Sequence, residues 1–306
     1  MKLNKIIFTG LFILVINELF SQHAPLGMHP TQFIPSFAGS AGEPRIFANI
    51  GSKSYHRQDD RNAFGGSLSF DHFITKWSTG VGFNVDYLDY TNPATDRDSI
   101  PDEANMLKFQ LMAAPKFSIA GKYTISPGIA ISYNHMAHKG DFLNYGKEYT
   151  ELADTSKLTE NKINFAASIL FNSKKYYAGI SFYSRGFYSH DQGIGANTFL
   201  TARRKPFLVF QTGYTFQRTS ESKFSFTPQL AIAIHSEGSN VSFVDLNLKF
   251  RYKKVIWGLY GDGLYLGYQN DKISITGALS LKEASSASLS ARILLGNKSQ
   301  KSTPGF

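Results

Sequence analysis

The stretch Val241–Tyr252, VSFVDLNLKFRY, constrains the fold more than any other. Val244, Leu246, Leu248, Phe250 and Tyr252 alternate with Asp245, Asn247, Lys249 and Arg251. A period of two is that of a β-strand with one oily and one hydrophilic face. Alone, the segment does not say whether the oily face meets a core or lipid. Its repetition does. Phe224, Phe226, Pro228, Leu230, Ile232 and Ile234 oppose Ser225, Thr227, Gln229, Ala231, Ala233 and His235. Leu107, Phe109, Leu111 and Ala113 oppose Lys108, Gln110, Met112 and Ala114, and Ile125, Ile129, Ile131 and Tyr133 oppose Thr124, Gly128, Ser132 and Asn134. Segments of about ten residues with one apolar and one small or polar face are the signature of a transmembrane β-barrel.

The pattern runs nearly end to end through 306 residues without a linker, which implies one domain. Charged residues are 18% and aromatics 14%, and the mean hydropathy of −0.21 is what a chain with every second strand residue polar produces. With no cysteine, disulfides, cysteine-ligated metals and lipidated cysteines are excluded. The net charge of +9 is scattered through turns and loops, which disfavours nucleic acid and favours anionic lipid headgroups or an acidic partner.

Lys2 and Lys5 precede an apolar run over residues 6–16, and Ser21 stands before Gln22, so residues 1–21 read as a cleaved secretory signal, too short to span a bilayer as a helix. Export with alternating strands points to the outer membrane. Residues 22–43, rich in Pro and Gly, have no periodicity. Fourteen strands are expected within 44–296, at 44–55, 63–73, 78–90, 106–119, 122–136, 161–172, 176–184, 207–216, 223–236, 241–252, 254–260, 263–269, 272–281 and 287–295. Twelve is the fallback if 254–269 is one strand. Residues 297–306 form a basic periplasmic tail. Long connections at about 56–62, 91–105, 137–160 and 185–206 alternate with tight ones, as external loops alternate with periplasmic turns.

Aromatics toward strand ends, among them Tyr55, Phe73, Trp77, Tyr87, Tyr90, Tyr123, Tyr133, Tyr176, Phe216, Tyr252, Trp257 and Tyr268, suit an interfacial girdle. The inward face is expected to be mostly Gly, Ala, Ser, Thr and Asn, with charges at Lys108, Lys116, Asp245, Lys249 and Arg251. Such side chains do not fill a barrel of this width, so either water or another segment occupies it, and the expectation is that residues 22–43 fold into it as a plug.

Within that segment, PTQFIPSFAGS (residues 30–40) resembles the N-terminal signature of the PorP/SprF family of type IX secretion membrane proteins, a TQ followed by an NPA-aromatic-AGS motif. Pro35, Phe37, Ala38, Gly39 and Ser40 match at their spacing; Ile34 replaces Asn and Ser36 replaces Ala. GGSLSFDHFI (65–74) and GVGFNVDY (80–87) are similar to the family's second and third strands, and TPGF (303–306) to its ending. SYHRQDD (54–60) is a divergent version of the family's arginine and tryptophan region. The resemblance implies an outer-membrane barrel like the fatty-acid channels in fold. It also implies export or surface retention of type IX clients, often large adhesins as in gliding motility, and partners among the client, the translocon and periplasmic ring or lipoprotein components.

No catalytic motif is present: there is no G-x-S-x-G, no G-x-x-x-x-G-K and no H-E-x-x-H. The expectation is a non-enzyme without cofactors. His135 and His138, with Asp141 nearby, have a spacing that binds metal on a helix; on a strand leaving for a loop they read as rim residues. Asp96, Asp98, Asp102 and Glu103 alternate like a calcium loop, but Ile100 and the absence of a turn glycine favour a solvated acidic loop. Arg203, Arg204 and Lys205 are candidates for lipopolysaccharide phosphates or an acidic client. A small-solute channel is the competing function class, and a structural protein gripping lipopolysaccharide a third.

Overall fold

The computed structural model describes residues 31, 34–55, 62–92, 102–139, 158–184, 206–217, 219, 222–235, 241–260, 263–280 and 284–295. The strands are β1 (Arg45–Tyr55), β2 (Asn62–Ile74), β3 (Thr79–Asn92), β4 (Asp102–Pro115), β5 (Phe117–Ile119), β6 (Tyr123–Lys139), β7 (Leu158–Ser173), β8 (Tyr176–Tyr183), β9 (Phe207–Tyr214), β10 (Phe224–His235), β11 (Val241–Tyr252), β12 (Val255–Tyr260), β13 (Gly263–Gln269), β14 (Ile273–Ser280) and β15 (Ala284–Leu294). Each pairs antiparallel with its sequence neighbours, except that β4 pairs with β6 rather than with β5. β1 pairs with β15 from Arg45↔Leu294 to Tyr55↔Ala284, which closes the sheet into a barrel.

β4 and β5 both pair with β6 and form one stave broken at Lys116, so the barrel has the expected fourteen staves. β12 and β13 are separate antiparallel strands, which removes the twelve-strand alternative. The prolines sit where ladders lapse. Pro127 faces the break between β4 and β5, and Pro228 lies just beyond the end of the β9–β10 ladder at Gln229↔Gly213. A residue with no N–H to donate is tolerated there.

The alternation is realised as inside and outside. Leu111, Ile129 and Leu266 are 63%, 66% and 64% exposed on the outer face, whereas Asn84, Asn134 and Asn247 are fully buried on the inner one. That inversion of the soluble pattern is stable only where the outer surroundings are apolar.

An aromatic belt marks the short-turn end. Ring contacts run from Tyr123 to Phe171 (5.4 Å) and on to Tyr176, whose register partner is Tyr214. They continue through Phe216, Phe226, Phe250 and Trp257 at 4.6–6.0 Å. Trp77, Tyr87, Tyr133, Tyr252 and Tyr268 also face outward and exposed. Phe73 departs from the expected girdle: it is half-buried, with its Cα beside Gly39 on the lumen side. The side chains of Tyr55 and Tyr90 lie outside the described residues.

Candidate functional site: the lumen and its inward segment

Ahead of β1, residues 34–44 turn into the barrel at the short-turn end. Pro35–Phe37 form a single 3-10 turn, with proline at its first position and φ already suited to it. Successive local bonds, Phe37 N to Ile34 O, Ala38 N to Pro35 O, Ser40 N to Phe37 O and Gly42 N to Gly39 O, span 2.9–3.2 Å. These bonds satisfy main-chain groups that burial would otherwise leave unpaired. Ile34, Ser36, Phe37 and Ala38 are completely buried and Ser40 nearly so.

The wall is shaped to receive this run. Gly128 on β6 lies so close that a Cβ there would meet the Ser36 nitrogen at 2.7 Å, and one on Gly179 of β8 would meet Ile34 Cδ1 at 2.7 Å. Gly80 on β3 touches the Ala38 carbonyl in the same way. Gly39 has φ of +65°, and a Cβ there would strike Gly80 Cα at 2.7 Å, so glycine is required on both conformational and steric grounds. Ser36 N donates to Ser168 Oγ at 3.0 Å, and the two hydroxyls are 2.6 Å apart. Phe37 packs edge-on against Tyr177 at 5.4 Å.

A buried ion pair anchors the turn to the wall. Arg45 Nε donates to Asp71 Oδ2 at 2.7 Å, both side chains being 3% exposed. The other carboxylate oxygen accepts the Gly39 N–H at 2.7 Å, and Arg45 Nη2 donates to Phe37 O at 3.5 Å. Both oxygens of Asp71 are thus engaged, the condition under which a buried carboxylate is tolerated. The five motif residues therefore have distinct places: Pro35 starts the turn, Phe37 packs against Tyr177, Ala38 and Gly39 pass against Gly80, and Ser40 stays buried.

Beyond the segment the inner face is polar, then apolar. Asn84, Gln110, Ser132 and Asn164 are consecutive register partners across β3, β4, β6 and β7, as are Asp86, Lys108 and Asn134 one step outward. Lys108 pairs with Asp86 at 3.3 Å, which also accepts from Asn84 Nδ2 at 2.7 Å. The next step toward the long loops is apolar: Leu88, Met106 and Met136 cluster, and Tyr183 stacks on Phe207 at 4.7 Å. On β11, Asp245, Lys249 and Arg251 belong to the inward face as expected. The expectation of small inward side chains is corrected by these methionines and tyrosines, together with Leu170, Val209, Tyr260 and Tyr265. These large groups gather in clusters on the inner face.

Arg203, Arg204, Lys205, Asp96, Asp98, Asp141 and residues 1–21 and 297–306 lie outside the described residues. His135 lies in β6, which runs to Lys139; the side chain of His138 lies outside the described residues. His135 Nδ1 lies 2.8 Å from Asn161 Oδ1, which also accepts from the Tyr133 hydroxyl at 2.8 Å. Asp102 and Glu103 are in β4 rather than a loop. Among the described residues no three metal-ligating side chains come together.

A closed antiparallel barrel, lipophilic outside and polar within, defines the class as an outer-membrane β-barrel. The profile of the PorP/SprF type IX secretion system membrane proteins matches residues 29–305, and the chain belongs to that family. It is accordingly a membrane component of type IX secretion residing in the outer membrane. No curated protein sequence matches it. Among solved structures, the Pseudomonas putida toluene transporter TodX is similar at TM-score 0.51 and 8% identity, with 91% of this chain and 95% of that one covered. The Ralstonia pickettii toluene transporter TbuX (TM-score 0.49, 11% identity, 91% and 96% covered) and a Pseudomonas aeruginosa FadL homologue (0.49, 10%, 91% and 100%) also match. The TodX likeness shows the barrel fold and nothing finer.

Proposed function

We propose that the protein is a non-enzymatic docking barrel of type IX secretion, with its lumen stoppered by the segment ahead of β1 and its partner held by the long external connections. The observation that carries this reading is the fit between Ile34–Ser40 and the glycines of the wall, with Asp71 and Arg45 pinning it. A stoppered lumen suits a scaffold better than a conduit. The connections support it as well. At one end the strands are joined through residues 75–78, 120–122, 174–175, 253–254 and 270–272, with one longer link at 215–223; at the other the chain spends 93–101, 140–157 and 184–206 between strands. Long loops on a rigid frame are where recognition residues collect.

The partner is a secreted client such as a large adhesin, a translocon subunit, or a periplasmic ring or lipoprotein component at the short-turn face. Arg203, Arg204 and Lys205 stand in the longest connection as contacts for an acidic partner or for lipopolysaccharide phosphates. Deleting the gene and quantifying surface and culture-fluid proteins tests this: loss of one or a few large surface proteins, restored by the full chain but not by a chain with 184–206 shortened, is expected. Normal secretion in the deletion strain overturns it.

A second reading, a transporter for a small apolar solute, is favoured by the apolar patch of Leu88, Met106, Met136, Tyr183 and Phe207 at the outer part of the lumen. It requires a selective uptake defect with secretion intact.

A further inference from the structure

Three cations stand on the inner face of the wall between β11 and β15. Lys249 and Arg251 on β11 and Arg292 on β15 belong to the inner face, and Arg292 is 5% exposed. Lys249 lies within electrostatic reach of both arginines, and Arg292 within reach of Arg45 and Asp71. Among the described residues none of the three makes a hydrogen bond or ion pair, and Arg251 Nε is buried without a partner.

The nearby carboxylates are committed elsewhere. Asp71 is held by Arg45 and the Gly39 N–H, and Asp86 by Lys108. Asp245 lies four residues along β11 from Lys249, about 13 Å at the rise of a strand. Between the cations the inner face carries Ile256, Gly267, Thr276 and Ser274. Arg251, Gly267 and Thr276 lie at one height through successive register pairs with Ile256, and Ser274 pairs directly with Arg292 at the next.

Burying like charges together is strongly unfavourable unless an anion shares the space. Two guanidinium forks and an ammonium are the donor set that an oxyanion satisfies. We infer that Lys249, Arg251 and Arg292 form a lumenal anion-binding site that takes one oxyanion, a phosphate or a carboxylate. The site stands whether or not the barrel docks a secreted client.

The test uses the full chain purified in detergent at low ionic strength, titrated calorimetrically with inorganic phosphate in one arm and acetate in the other. Saturable binding of at least one anion is expected, weakened about tenfold or more by Arg292→Gln and by Arg251→Gln, and unchanged by Lys76→Gln in the exposed turn after β2. The arm that binds names the anion. In anion-poor buffer Lys249→Met removes one of three repelling charges and raises the thermal midpoint; this readout does not depend on the arginine variants folding. No saturable binding of either anion, wild-type affinity in both arginine variants, or a lowered midpoint for Lys249→Met overturns the assignment.

Discussion

Gly128→Ala is the sharpest perturbation of the inward segment. The added methyl would stand 2.7 Å from the Ser36 nitrogen and 2.8 Å from its Cα, where ordinary contact begins at 3.4 Å. Both obstacles are backbone, so relief requires the segment to retreat by about 0.7 Å, the difference between those distances. The Ser36 N to Ser168 Oγ bond, now 3.0 Å, lengthens to about 3.7 Å, beyond hydrogen-bonding range, and the 2.6 Å contact between the hydroxyls to about 3.3 Å. One net bond is lost and a second weakened, about 1–2 kcal/mol in favour of the undocked segment. That is about a 5- to 30-fold change in the ratio of docked to undocked forms. Hydrogen exchange of the amides of residues 34–40 reads this directly, and planar-bilayer conductance reads its consequence. Protection should fall by that factor and transient openings should appear, while the barrel amides stay protected. Gly277→Ala is the control, because a Cβ there meets nothing within 4 Å. Wild-type protection and conductance in Gly128→Ala, with the barrel folded, would refute the view that this contact seats the segment.

Asp71→Ala leaves Arg45 buried without its partner and the Gly39 N–H without an acceptor, and should cost about 3–5 kcal/mol in urea unfolding from lipid vesicles. Pairing it with Arg45→Met should recover part of that loss, and strict additivity would show that the two side chains do not act together. Leu111→Arg, on the exposed outer face in mid-strand, should lower folding into bilayers by about 2–4 kcal/mol, whereas Trp77→Arg in a short turn should cost no more than about 1 kcal/mol. Equal costs at the two positions would place the lipid boundary elsewhere. Phe250→Ala removes a ring that touches both Phe226 and Trp257 and should cost about 0.5–1.5 kcal/mol per contact beyond the lost area; an unchanged urea midpoint would mean the belt is incidental.

The barrel was legible because lipid enforces the period of two on every stave: the outward Phe224 to Ile234 series and its inward partners emerge from β10 as read. The turn pattern likewise separated β12 from β13. The contents of the lumen were less legible. Equating inward with polar works for Asn84 or Asn134 but misses Met106, Tyr177 and Tyr183, which face inward and pack against Met136, Phe37 and Phe207 respectively. Arg45 and Asp71 are 26 positions apart, and Arg251 and Arg292 are 41 positions apart with three strands between them. Hairpin register brings the first pair together and the curvature of the sheet the second, and a local window contains no trace of either. The glycine cradle carried a faint signal, in that Gly80, Gly128 and Gly179 all fall on inward-register positions. The spacing of His135 and His138 shows the same dependence on context, because residues three apart share a face on a helix but not on a strand.

The seam between β1 and β15 has a consequence for assembly. Asn49 receives its hydrogen bond from Ser290 across 241 positions of chain, so the first stave waits for the last before either edge is covered. Until then the chain carries two unpaired strand edges, the condition that invites misassociation. Loss of the final stave would therefore do more than shorten the protein: it would leave the first without a neighbour and the ion pair at its root open to water.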